Sequence, residues 1–309
     1  MKRGVFIYSV LLFLMIILSG CGEEQEEINE EKDEVLTVYT TLFVWEDIAT
    51  QIGGEHVQVK NIVPPGSDAH SFEPTAQMMI DIAEADAFIY TGQGMEGFAD
   101  AVEKAVSNEN TKMIQVTEGM QLNESDAHGH EDHEGHHHDV DPHVWLDPVL
   151  MVEAVETISA AFSDLLPEHQ HTFLENKNRI VADIEELHEQ FTEVVNEAER
   201  KTIVVSHRAY GYWEERYGIE QLALTGLDPA YEPSQKEIEE MIARIKNEKI
   251  PYILVESNIS AKVADVIQSE TGVERLPIHN LETVTEEEQK KGYMELMEEN
   301  IAHVQQALE

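Results

Sequence analysis

Hydrophobic and polar positions alternate along the chain in a repeating rhythm. Short runs rich in β-branched and aromatic residues, "VLTVYT" (35–40), "VQVKNIV" (57–63), "DAFIYT" (86–91) and "MIQV" (113–116), read as strands, and helical spacing fills the intervals near 43–52, 74–84 and 95–106. The rhythm pauses over residues 118–142 and then yields two long helical stretches. One opens with Asp147 and Pro148 as an N-cap and first-turn pair and runs to about Leu165; the other follows Pro167 and runs to about Arg200 without an internal Gly or Pro. At about 1.5 Å per residue the second would extend roughly 50 Å, long enough to cross between domains. Strands return as "TIVVS" (202–206), "IEQLALT" (219–225), "PYILVE" (251–256) and "VERLPI" (273–278). Helices fall near 208–217, 234–246, 260–270 and 287–308, the second opened by Ser234 and Glu237 in capping-box spacing. Such alternation requires parallel sheets covered by helices. The predicted fold is α/β: two similar parallel-sheet lobes, 35–165 and 201–309, bridged by one long rigid helix over 166–200. No sequence repeat accompanies the likeness of the lobes.

The N-terminus follows a different pattern. Lys2 and Arg3 precede an apolar run from Val5 to Leu18, which marks residues 1–20 as a secretory leader. The run is about 14 residues, short of the roughly 20 that span a bilayer. "LSGC" at 18–21 resembles the lipobox of bacterial lipoproteins, so Cys21 is expected to carry a lipid and hold the protein on the extracytoplasmic face of the cell membrane. Cys21 is the only cysteine, leaving none for a disulfide, a thiolate metal site or a nucleophile. Residues 21–34, almost devoid of apolar side chains, are expected to form a disordered acidic tether. What remains suffices for two domains of about 150 residues each. With 62 acidic against 20 basic residues and a net charge of −42, nucleic acid is excluded as a partner. A monomer is expected.

Candidate chemistry concentrates in histidine. Seven histidines fall within the sixteen residues 128–143. His128, His130, His133, His136, His137 and His138 alternate with Gly, Asp and Glu in a segment that cannot build a core. His143 differs, because it lies just before the Asp147 cap. His70 lies between the second strand and the next helix, and His207 immediately follows the fifth strand. Ligands of open α/β sheets bind in the crevice outside the carboxyl ends of the strands, so these three are placed to converge. Three imidazoles suit a borderline metal, Zn²⁺ above all. A fourth ligand should come from the second lobe, with Glu282, His279 and water as the alternatives. Because zinc needs neutral imidazoles, binding should weaken below about pH 6. Glu256, at a strand end, is a supporting residue; Trp145 and Trp213 read as cleft wall, and His169, His171, His188 and His303 as solvated helical positions.

"PPGSDAHSFEPT", "DPHVWLDP", "VVSHRAYGYW", "YILVESNIS" and "LETVT" together resemble the zinc-binding branch of the cluster A-I solute-binding lipoproteins of ABC importers, over about Val35–Glu309. The resemblance implies ligands at His70, His143, His207 and an acidic residue matching Glu282. It also implies a His-rich loop that collects metal weakly, and a membrane permease as partner. Manganese-binding relatives carry a carboxylate where this chain has His207, which favours zinc over manganese. Some relatives carry a second-lobe disulfide that this chain has no cysteines to form. Against the non-enzymatic receptor stand a manganese receptor of the same family, a surface zinc hydrolase and an adhesin. The hydrolase lacks an HExxH helix.

Overall fold

A computed structural model describes residues 35–123, 140–227, 233–257 and 261–309. The leader, Cys21, the tether and the loop histidines His128, His130, His133, His136, His137 and His138 lie outside the described residues.

The first sheet holds β1 (Leu36–Thr40), β2 (Val57–Asn61), β3 (Ala87–Tyr90) and β4 (Lys112–Gln115), ordered β2-β1-β3-β4 and parallel throughout. The second repeats this order with β5 (Thr202–Val205), β6 (Glu220–Ala223), β7 (Tyr252–Val255) and β8 (Glu274–Pro277), as β6-β5-β7-β8. The central strands are apolar on both faces, as parallel strands under helices must be: Ala87, Phe88 and Ile89 are fully buried, and so are Val204 and Val205. In each sheet the connections leave in opposite directions from the middle pair, β1 and β3 or β5 and β7. This opens a crevice at the carboxyl ends.

Helices α1 (Phe43–Gly53), α2 (Ala76–Ala83) and α3 (Ala99–Val106) belong to the first lobe, and α6 (Gly211–Tyr217), α7 (Gln235–Glu248) and α8 (Ala261–Thr271) to the second. Between them run α4 (Pro148–Leu165) and α5 (Gln170–Glu197). Asp147 caps α4 by accepting from the Val149 amide at 2.8 Å, and Ser234 and Glu237 form a reciprocal capping box on α7. A single 3₁₀ turn, Pro167–His169, precedes the long helix, which is therefore shorter than the sequence suggested. Its 28 residues span about 42 Å. Phe173, Ile180, Ile184, Leu187, Phe191 and Val195 give it one buried stripe at helical spacing, and its opposite face is rich in glutamate.

The predicted helix over 287–308 is two, α9 (Glu286–Gln289) and α10 (Gly292–Leu308). Gly292 makes the break at φ +80°, and it also brings the amide of Tyr293 to Asp47 Oδ2 on α1 at 2.9 Å. A carboxylate of the first lobe thus satisfies the start of the C-terminal helix. One continuous apolar core runs from Val38 and Ile89 through Phe191 on α5 to Val205, Leu254 and Leu296. A separate small cluster (Val204, Ile245, Ile253, Ile267) fills the outer side of the second sheet.

Candidate metal centre

Each candidate ligand sits on a short loop whose backbone is held by a neighbouring side chain. His70 lies in an Asx turn in which Asp68 Oδ1 accepts its amide at 2.9 Å. Asp141 does more for His143: Oδ1 accepts the backbone amide at 3.0 Å and lies 2.7 Å from ring Nδ1. A carboxylate can only accept, so Nδ1 carries the hydrogen and Nε2 keeps its lone pair. Asp141 is pinned in turn from the second lobe, where Tyr212 Oη donates to its carbonyl at 2.7 Å. A Cβ on Gly211 would come within 2.5 Å of Asp141 Oδ2, so glycine is needed there for close approach.

His207 follows β5 by two residues. Its Nε2 lies 2.7 Å from the Leu227 carbonyl, which fixes the hydrogen on Nε2 and leaves Nδ1 as the free nitrogen. Glu282 stands on a turn in which Asn280 Oδ1 accepts the amides of Glu282 (3.0 Å) and Thr283 (3.3 Å). Leu281 between them has φ +63°, a left-handed conformation costing about 1 kcal/mol in a residue with a side chain. This loop is laced to the one bearing His70: Gly66 N donates to the Val284 carbonyl at 3.0 Å, and Thr283 Oγ1 to the Ser67 carbonyl at 3.1 Å.

The three imidazoles converge, with Glu282 against two of them. One nitrogen from each of His70, His143 and His207 lies within 4.8 Å of the others. Glu282 Oε2 is 3.4 Å from His70 Nε2 and 3.9 Å from His143 Nε2, ion-pair contacts without hydrogen-bond geometry. His143 and His207 are fully buried, and His70, its side chain 14% exposed, forms the rim. Buried polar atoms nearly always have a partner. Here His70 Nε2, His143 Nε2, His207 Nδ1 and Glu282 Oε2 are all buried without one. Four ligands on a tetrahedral zinc at about 2.0–2.2 Å stand roughly 3.3–3.6 Å apart, so this donor set fits the ion.

Electrostatics follow from the same geometry. Burial would raise the Glu282 carboxyl, but His70, His143 and His207 around it bring it down to about 2. Burial would lower His207; the Glu256 carboxylate beside it, and Glu282 further off, instead push it up to about 9. His70 is also raised, because Glu282 outweighs its desolvation. Without metal the centre therefore holds protons at neutral pH.

His279 faces elsewhere, with Nδ1 3.2 Å from Glu288 Oε1 and Nε2 3.1 Å from Glu299 Oε2. Trp145 and Trp213 are fully buried and tie the turn at 144–146 to the second lobe: Trp145 Nε1 donates to the Asn280 carbonyl at 2.6 Å, and Trp213 Nε1 to the Leu146 carbonyl at 2.7 Å. The other histidines correct the expectation of four solvated side chains. Only His171 is largely exposed, whereas His169 stacks on His56 at 3.6 Å, His188 Nδ1 contacts Tyr217 Oη at 3.0 Å, and His303 Nδ1 is buried. Sequence reasoning also passed over Asp141, Leu227 and Asn280. Asp141 was findable, since an Asp two residues before a histidine can bond both its amide and its ring. The Leu227 carbonyl carries no sequence signal at all.

Residues 38–307 match the family described as zinc-uptake complex component A, periplasmic. The chain belongs to that family. Among the family's named proteins, the zinc-binding lipoprotein AdcA of Streptococcus pneumoniae is 32% identical over 313 residues, covering 99% of this chain and 61% of its own length. This chain thus spans about three-fifths of that relative. The high-affinity zinc uptake system protein ZnuA of Bacillus subtilis is 28% identical, covering 99% of this chain and 97% of itself. The Zn(II)-bound ZnuA-like domain of pneumococcal AdcA superposes with a TM-score of 0.76 at 30% identity, covering 89% of this chain and 99% of that domain. The two-lobed fold with its long helix is thus that of the zinc-uptake component A family. Among the described residues no helix is long and apolar enough to cross a membrane.

Proposed function

We propose that this protein is an extracytoplasmic receptor that captures Zn²⁺ and delivers it to the membrane permease of an ABC importer. In this reading His70, His143, His207 and Glu282 are the metal ligands, Cys21 carries the lipid anchor, and the histidines of 128–138 collect metal weakly. The observation that carries it is the convergence of four buried, unpartnered donor atoms, three nitrogens within 4.8 Å of one another and one oxygen 3.4 Å from the nearest of them. Nitrogen-rich donors select zinc over manganese. Four protein ligands also close the coordination sphere, which suits transport rather than hydrolysis, where an open position is needed for water. The relatives' names, zinc-binding lipoprotein and zinc uptake system protein, support the same reading. The test is metal analysis of protein purified without chelator, together with a competition titration of zinc against manganese. One tightly held zinc, displaced by manganese only at large excess, is expected. Equal affinity for the two ions would overturn the assignment.

A further inference from the structure

A second buried carboxylate adjoins one of the three imidazoles, that of His207. Glu256, directly after β7, is only 5% exposed, and its Oε2 lies 3.6 Å from His207 Nδ1, the nitrogen left free for metal. That is the separation of two ligands on one tetrahedral zinc, and it matches the 3.4 Å between Glu282 Oε2 and His70 Nε2 on the other side. Glu256 is weakly held elsewhere. Among the described residues its Oε1 receives only long hydrogen bonds, from Tyr210 Oη at 3.4 Å and Ser206 Oγ at 3.5 Å. No Lys or Arg among the described residues pairs with it, and His207 is its one ion-pair partner. A carboxylate buried so thinly compensated is costly unless a cation comes to it.

Resting on the metal centre proposed above, we infer that Glu256 is a reserve ligand, sharing the fourth coordination position of the zinc with Glu282. Glu282 stands on the loop laced to His70 at the rim, whereas Glu256 stands at the end of the second sheet, directly after β7. A metal attached through one carboxylate can pass to the other without leaving the three nitrogens. Loss of Glu282 alone then leaves four protein ligands in place.

The prediction is tested by a double-mutant cycle on the full chain: Glu282→Ala, Glu256→Gln and both together. Zinc affinity is read by chelator competition, and coordination number by the visible absorption of Co²⁺ bound in place of zinc. Glutamine keeps an acceptor for Tyr210 and Ser206 but loses the charge. Each single variant should weaken binding by about tenfold or less and retain the intense four-coordinate Co²⁺ spectrum. The double variant should lose more than about a thousandfold, well beyond the product of the singles, with the spectrum fading to that of higher coordination. Glu256→Asp in the Glu282→Ala background should behave like the glutamine variant, because the shortened side chain keeps its charge but not its reach. A multiplicative cycle, or full rescue by Glu256→Asp, would overturn the reserve-ligand role. Absence of tight zinc binding by the unaltered chain would instead sink the receptor reading itself, so the two failures are distinguishable.

Discussion

Raising the pH from 7 to 9 should tighten zinc binding about fiftyfold, the last factor of about two in the roughly hundredfold deficit at pH 7 being recovered only above pH 9. The cause is His207, which Glu256 and Glu282 hold near pKa 9 against the pull of burial. At pH 7 the metal must displace that proton, and two pH units at 1.36 kcal/mol each amount to about 2.7 kcal/mol of lost affinity. Glu282, at about 2, is ionised throughout this range and adds no slope. His70, raised by Glu282 against the pull of its own burial, must likewise give up a proton to bind metal. Model-compound histidine would place the whole effect below about pH 6, so the structure moves it up into the alkaline range. The assay is competition titration at half-unit steps from pH 6.5 to 9.5. Calorimetry at pH 7.5 in two buffers of unlike ionisation enthalpy counts the protons released, and at least about one per zinc is expected. A dissociation constant flat between pH 7 and 9, with no proton released, would refute the reasoning. The metal-free protein should show the converse in stability. The His207 contribution is fully present below about pH 6.5 and disappears as pH rises through about 9, whereas that of Glu282 is present above about 4.5 and disappears as pH falls through about 2.

Alanine at His70, His143 or His207 should each abolish tight zinc binding, while Glu282→Ala costs less; calorimetric titration of the four variants ranks them. Asp141→Ala should weaken zinc binding about 10- to 100-fold with the circular dichroism spectrum unchanged, since it frees the His143 ring without removing a ligand. Arg216→Ala leaves the buried Asp147 without its bidentate partner and should cost about 2 kcal/mol in urea unfolding, discounted because the arginine is one-third exposed. Deleting 127–139 should lower zinc stoichiometry to about one while keeping the tightest dissociation constant within about threefold; loss of the tight site in a folded deletion variant would make the loop histidines ligands.

The strands of both lobes and the placement of His70 and His207 were legible because each depends on local pattern, whereas the order of the strands within each sheet was not read from the sequence. Buried parallel strands are apolar runs; His207 directly adjoins the end of β5, and His70 lies in the loop that leads from β2 to the next helix. Glu282 and His279 were harder to separate, lying three residues apart on one loop. Their directions are decided by Asn280, whose side chain turns the backbone through left-handed Leu281, and by Glu288 and Glu299, which hold His279 away. The break at Gly292 escaped for a related reason. A helical pattern containing one glycine is usually continuous, and what stops it here is Asp47, some 245 residues earlier in the chain. The link between Leu227 and His207 is a backbone carbonyl, which any residue could supply.

The apolar core shared by both sheets and the long helix has a mechanical consequence. Swinging the sheets apart would wet that core at roughly 2.5 kcal/mol per 100 Å² of apolar surface. An opening of about 400 Å² would thus consume most of an ordinary domain's stability. There is no cheap open form for a ligand to select against. Occupancy can then hardly be broadcast as a change of overall shape. Any partner that distinguishes a filled cleft from an empty one would have to feel the difference at its mouth, in the mobility and charge of the His70 rim, and any force that frees a bound ion would have to be applied there.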